Sequence, residues 1–264
     1  MITFGDIMTR GLIYYDEEYI EECKSFCEVR KISYLPHIDK HHQIYPYEKK
    51  NRTFLDPTHI QDYQTVQEED FVFNSSLRGA FAKHKILFVK QKKSLVGVVH
   101  FSDYNRPKVS DYLFQRLSRL EKGLVKLILS FDALEKNTLC PYKEQDVNPA
   151  DHSLLEESDF RGSKMTLMKT LRYAYDMKIL KIKEKHIDLI TAIRNRIAHS
   201  EGLIDRTKGS DFDYKLGSFL RLLEGAVALE IAIKQVSNAL YFTEIIQKED
   251  PSIPVKPLEE VLFD

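Results

Sequence analysis

Arg194-Asn195-Arg196-Ile197-Ala198-His199 places a permanent cation, an amide and a side chain that carries a proton near neutrality within about one and a half helical turns. Such a set can do general acid–base chemistry while its fixed charge stabilises an anion that develops during reaction. At i and i+4, Asn195 and His199 share a helical face, and Arg194 lies to one side of it. The same residue types can also serve structure alone. Arg and His near a helix C-terminus complement the helix dipole and can bond its last carbonyls.

The elements around this hexapeptide decide how it is carried. Ile187, Ile190, Ile193 and Ile197 recur at helical spacing, which predicts an amphipathic helix over about 183–200, with Gly202 as its stop. Upstream, Leu113, Leu117, Leu120, Leu124, Leu127 and Ile128 form one stripe over 107–135, and Pro107 suits the start of that helix. Pro141 and Pro149 mark a connecting loop over 136–152. Ser153 with Glu156 matches a capping box for a short helix, and Ser163 suits the cap of the next, which is expected to run to about Ile179. Beyond Gly202 and Gly209, Leu216, Phe219, Leu220, Leu223, Val227 and Ile231 predict a long helix to about 247. The order is that of an all-α bundle over 106–247, followed by a proline-bearing extended tail over 248–264.

Arg194, Asn195 and His199, closing the helix before the last long one, resemble the R-X4-6-H signature of HEPN domains, helical modules found in many metal-independent ribonucleases. The resemblance implies an endoribonuclease that cuts single-stranded RNA to 2′,3′-cyclic phosphate ends. RNA supplies its own 2′-hydroxyl nucleophile, so the residual need is proton transfer and charge stabilisation. His199 suits the first, Arg194 can fork onto phosphate oxygens, and Asn195 can hold the histidine tautomer or a phosphate oxygen. Arg196, with Arg206 and Lys208, is expected to contact the RNA backbone, and Arg196 has ion pairing as its alternative. One helix brings a single histidine, so a homodimer with a composite site is expected, as the resemblance also implies. Catalysis calls for no metal or other cofactor.

The first part of the chain has a different rhythm. Tyr34-Leu35-Pro36-His37-Ile38, Ile86-Leu87-Phe88-Val89 and Leu95-Val96-Gly97-Val98-Val99 predict buried strands, with helices over 17–30 and 75–84 and a boundary at 105–107. The fold class expected for the whole is therefore α+β: an α/β module over 1–105, then the helical bundle. Asp6-Ile7-Met8-Thr9, Tyr34 to Asp39 and Leu95 to Asp103 resemble the opening and strand motifs of tandem CBS domains, which sense nucleotides. That resemblance implies a regulatory adenine nucleotide or cyclic oligonucleotide held near Gly97, His100, Ser102 and Asp103, with the Asp103 carboxylate accepting from a ribose diol. In the first repeat Pro46, Lys49 and Arg52 occupy the matching places, so at most one such site is expected; repeats that only dimerise the protein are the alternative.

Composition narrows the partners. Lys and Arg number 39 against 40 Asp and Glu, so nucleic acid must be met by a local patch such as Lys178, Lys181, Lys183 and Lys185. MITFGDIMTRG has no basic-then-apolar signal and no window is long and apolar enough to span a bilayer, so a cytoplasmic protein without membrane contact is expected. Cys23, Cys27 and Cys140 form no paired CxxC unit, and His37, His41, His42 and His59 fit no standard zinc spacing, so no metal site is expected. Tyr173 and Tyr175 suit core packing better than base stacking. A nucleotide-regulated ribonuclease of a toxin or antiphage defence system follows from both resemblances. A non-enzymatic nucleotide-sensing adaptor, with the helical half as an interaction surface, is the other function they allow.

Overall fold

The computed structural model describes residues 1–30, 32–40, 42–83, 86–134, 167–176, 178–204 and 212–249. The chain is mixed α and β and divides into two compact units, Met1–Val109 with Ile204–Leu220, and Ser110–Leu203 with Arg221–Asp264. All the strands among the described residues precede Pro107.

The first unit holds two small sheets. Its elements are α1 (Phe4–Ile7), α2 (Ile20–Arg30), β1 (Tyr34–Pro36), β2 (Gln43–Glu48), β3 (Thr53–Phe54), β4 (Thr58–His59), β5 (Thr65–Gln67), α3 (Leu77–Lys83), β6 (Ile86–Gln91) and β7 (Ser94–His100). β5 pairs parallel with β6, which pairs antiparallel with β7, so the order is strand, helix, strand, strand. A partly similar order occurs earlier, with a single bridge in place of the first strand: Tyr15 makes a parallel bridge to His37, α2 follows Tyr15, and β1 pairs antiparallel with β2. β2 also receives β3 and β4, two short strands with no apolar alternation to announce them.

Burial explains these strands. Along β7, Leu95, Gly97 and Val99 face inward while their neighbours are less buried, the period-two signature of a half-covered sheet. Gly97 answers a backbone approach from the chain itself. A Cβ there would lie 2.7 Å from Met8 Sδ and 2.9 Å from the Thr9 carbonyl oxygen, and Thr9 exchanges backbone hydrogen bonds with Val98. The unit's aromatic core joins Phe81, Tyr104 and Phe219, with Phe219 edge-on to Phe81 at 4.8 Å and to Tyr104 at 4.9 Å. Asn105 fastens Ile204 by both backbone groups, accepting from its N–H at 2.7 Å and donating to its carbonyl at 3.1 Å.

The second unit is helical. α4 (Pro107–Leu134), α5 (Leu167–Asp176), α6 (Glu184–Ala198) and α7 (Phe212–Glu249) are its described helices, and the division between units falls inside α4 and α7. Pro107 opens α4, where its missing N–H and fixed φ cost nothing. Leu113, Leu117, Leu120, Leu124 and Leu127 are all buried along α4. α7 buries Leu222, Leu223, Ala226, Leu229, Ala232, Ile233 and Val236, more of its circumference than one stripe, because it packs against helices on more than one side. Two glycines set those approaches. A Cβ on Gly123 of α4 would meet Val236 at 2.8 Å, and one on Gly225 of α7 would meet Ile193 of α6 at 2.9 Å.

A polar clamp joins α4 to α7. Arg116 forks onto the Glu230 carboxylate, donating from Nε to Oε1 at 2.8 Å and from Nη2 to Oε2, while Tyr112 donates its hydroxyl to Oε1 at 2.8 Å. Burial and the Glu230 carboxylate push the Tyr112 phenol well above its ordinary value. Moving along α4 from Arg116 to Gly123 moves the partner along α7 from Glu230 to Val236, so the two helices run in the same direction.

The observed boundaries correct several expectations. The strand predicted over 34–38 ends at Pro36, and Ile231, one of the apolar residues that predict the last helix, is exposed. That helix continues through Glu249, so the tail does not begin at 248. Expectations for the loop over 136–152, the Ser153 and Ser163 caps, Arg206, Lys208, Cys140, His41, the Ile128 side chain and residues 250–264 lie outside the described residues.

Candidate functional site

α6 carries the hexapeptide, and its apolar face fixes which residues face out. Ile187, Ile190, Thr191 and Ile193 are buried, whereas Arg194, Asn195 and His199 are exposed. The first turn is anchored by His186 and Lys185. The Lys183 N–H donates to His186 Nδ1 at 3.3 Å, which leaves the ring proton on Nε2, 3.3 Å from Glu224 Oε1. Lys185 Nζ lies 2.5 Å from the same oxygen, and this contact, ahead of burial, holds the Glu224 carboxyl below its ordinary value.

The helix end is closed by backbone, two residues earlier than Gly202 suggests. Ser200 takes the left-handed conformation with φ of 54°, its N–H donates to Ile197, and the Glu201 N–H donates to the Arg196 carbonyl at 2.8 Å. This is a Schellman ending in which a serine occupies the position that glycine usually fills. Arg196 adds the side-chain cap. Its Nη1 donates to the Gly202 carbonyl at 2.8 Å and to that of Leu203 at 3.4 Å.

Within one helix end, then, the two arginines have different employment. Arg196 is engaged with the loop that follows. Arg194, Asn195 and His199 make no side-chain hydrogen bond or ion pair among the described residues, and the carbonyls of Asn195, Arg196 and Ile197 accept backbone N–H groups instead. The charge of Arg194 is felt by Glu121 of α4, whose carboxyl is raised by burial and drawn back down by that guanidinium. Glu121 and Glu224 carried no signal in the sequence, because they lie on other helices far along the chain and reach α6 only through packing. Of the basic run, Lys178 sits over the Tyr175 ring at 5.7 Å, and the Lys181 N–H donates to Gln235 at 2.9 Å. Tyr173 is buried in the core.

Of the residues of the proposed nucleotide site, Gly97 and His100 belong to β7, and Ser102 and Asp103 to the tight 3-10 turn over Phe101–Asn105 that follows it. Asp103 Oδ2 accepts the His100 N–H at 2.8 Å, and Oδ1 accepts from Arg106 Nη2 at 3.0 Å. Arg106 continues to the Met8 carbonyl and to Thr9 Oγ1, tying the turn to the N-terminal segment. His100 Nδ1 accepts the Ser102 N–H at 3.1 Å and lies 2.7 Å from its hydroxyl. Separately, a cavity of about 490 Å³ opens among Phe4, Asp62, Tyr63, Val66, Asp70 and Phe71 and includes none of these four residues.

The remaining candidates have structural accounts. Cys23 and Cys27 are buried, and burial pushes the Cys27 thiol up to about 11, which makes it a poor nucleophile. His37 Nδ1 accepts from the Asp39 and Lys40 N–H groups, and His42 stacks on His59 at 5.1 Å. No helix among the described residues is long and apolar enough to cross a membrane. Compared with protein families, with curated proteins and with solved structures, the chain has no match.

Proposed function

We propose that the chain is a metal-independent endoribonuclease of the HEPN kind, cutting single-stranded RNA to 2′,3′-cyclic phosphate and 5′-hydroxyl ends. The observation that supports it is the exposure of Arg194, Asn195 and His199 at an α6 terminus already closed by backbone and by Arg196. A capping role, the structural alternative, needs those side chains on the terminal carbonyls. In the proposed reaction His199 relays the proton between the 2′-hydroxyl and the leaving 5′-oxygen, while Arg194 meets the phosphate oxygens as charge gathers there. Asn195 orients the imidazole or one phosphate oxygen. A second copy brings a second set, so that proton acceptor and proton donor flank the scissile bond; the protein acts as a homodimer. Arg196, engaged with the loop after α6, is left with at most a secondary RNA contact.

The first unit is proposed as a tandem CBS-like sensor of an adenine nucleotide or cyclic oligonucleotide; its strand, helix, strand, strand order over β5–β7, with a helix and an antiparallel strand pair also in the earlier segment, is the supporting feature. A ribose diol on Asp103 has to displace Arg106 from Oδ1. Toxin or antiphage activity would be the biological setting, with cytoplasmic action on RNA. Purified full-length protein incubated with single-stranded RNA in EDTA is the test. Cyclic-phosphate ends that vanish in His199→Ala and Arg194→Ala are expected; unchanged cleavage by both variants, or no cleavage by the parent with and without adenine nucleotides, overturns the reading.

A further inference from the structure

The cavity of the first unit is separate from the turn after β7. It holds about 490 Å³, within the range of small-molecule sites, roughly 300–1,000 Å³. Two acid–aromatic dipeptides contribute to its wall, Asp62-Tyr63 from the 3-10 turn before β5 and Asp70-Phe71 from the segment after β5. All four residues keep accessible surface. Asp62 and Asp70 are exposed, Tyr63 is 54% exposed, and Phe71 is half-buried.

Both dipeptides stand on fixed backbone. The Gln64 N–H donates to the Gln61 carbonyl at 2.9 Å and the Gln61 N–H donates to Gln64 Oε1 at 2.9 Å, which closes the turn that carries Asp62 and Tyr63. The Asp70 carbonyl accepts the Phe4 N–H at 3.1 Å, and Phe71 makes an antiparallel bridge to Thr3. The Phe71 ring is steadied by Phe73, edge-on at 5.8 Å. A wall held in this way loses little freedom when a ligand arrives.

The charge at this wall has one sign. Among the described residues the lining includes two carboxylates and no Lys, Arg or His. The whole stretch 53–77 has five acidic residues and no Lys or Arg. Glu68 is answered by Arg10, whereas the Asp62 carboxylate makes no hydrogen bond or ion pair among the described residues. Asp70 engages only Oδ2, which accepts the Gln67 N–H at 2.8 Å. A phosphate is repelled by such a wall. An ammonium group gains both a carboxylate and a neighbouring aromatic ring, and two such pairs select a ligand with two ammonium groups. Val66, half-buried on β5 between the two dipeptides in the chain, is apolar wall for the methylenes that join them.

We propose that this cavity binds an aliphatic polyamine, with one ammonium group at Asp62 and Tyr63 and another at Asp70 and Phe71. The site stands independently of the RNA-cleavage and nucleotide readings.

The test is isothermal titration calorimetry of spermidine into full-length protein without RNA, at about 0.15 M salt, where long-range attraction is screened. One saturable site is expected. Butylamine, which keeps a single ammonium group, should bind at least about tenfold more weakly. Asp62→Asn and Tyr63→Ala should each weaken spermidine about fivefold. Asp56→Asn removes an exposed carboxylate of the same acidic stretch that does not line the cavity, and should leave affinity unchanged. Absence of binding, binding without saturation, equal affinities for butylamine and spermidine, or equal affinities in Asp62→Asn and Asp56→Asn overturns the proposal, because attraction to diffuse negative charge then accounts for any heat observed. Should Tyr63→Ala fail to fold, the amine series and the comparison of Asp62→Asn with Asp56→Asn decide alone.

Discussion

The turn after β7 and the end of α6 carry similar side chains and use them in opposite ways. At the turn, His100, Ser102, Asp103 and Arg106 bond one another and the Met8–Thr9 segment, so that their polarity is consumed in holding the first unit together. At the end of α6, backbone and one arginine finish the helix, and Arg194, Asn195 and His199 face outward. A polar cluster already in mutual contact has a structural explanation. A proton carrier and a guanidinium exposed together, with no hydrogen-bond partner among the described residues, are where chemistry is to be sought.

The comparison breaks most sharply at activity. His199→Ala should lower RNA cleavage about 10³-fold and Arg194→Ala about 10²- to 10³-fold, the usual worth of an acid–base group and of one charge-stabilising donor. Both variants should melt as the parent does, within about 0.5 kcal/mol, since exposed side chains with no hydrogen bond or ion pair among the described residues contribute little to stability. Loss of cleavage accompanied by loss of folding would remove the contrast. Next in size, Glu230→Ala strips the partner from Arg116 and Tyr112, and should cost about 2 kcal/mol of unfolding free energy in denaturant titration, less than a fully buried pair because both partners keep some solvent.

Arg196→Ala is the mirror of Arg194→Ala. It should cost about 1 kcal/mol of stability, because the Gly202 and Leu203 carbonyls at the exposed helix end are left without their guanidinium donor, and leave cleavage within a few-fold. Asp103→Asn should likewise cost about 1 kcal/mol in thermal melts, through the turn and the Arg106 pair, with or without nucleotide. The smallest effect concerns acid. Glu224 is held below its ordinary carboxyl value, so the stability it contributes is present above about pH 4.3 and is lost as pH falls through its folded value. Glu224→Gln should flatten that acid limb by no more than about 0.5 kcal/mol, the pair with Lys185 being partly solvated.

Much of the architecture was legible because periodicity reports burial. The leucines of α4 are buried at the predicted positions, and the strands over 86–91 and 94–100 stand where apolar runs announced them. The short strands β3 and β4 escaped notice because Thr53–Phe54 and Thr58–His59 are too brief to show alternation. Ile231 misled because α7 buries much of its circumference, which blurs a single stripe. Gly97 was grouped with the expected nucleotide site, but the groups that approach it are the chain's own Met8 and Thr9. Ser200 ends α6 where a glycine was sought, since the Schellman hydrogen bonds and the Arg196 contacts over-determine a left-handed serine.

What the sequence determined by itself was local: which stretches are helices or strands, and that Arg194, Asn195 and His199 ride on one helix end, because propensity and period act over a few residues. Which of two neighbouring arginines is tied down and whether Asp103 is engaged were decided only in three dimensions. The reason is that a side chain's hydrogen-bond partners and its burial depend on residues far along the chain, and those distances are set when helices and sheets pack.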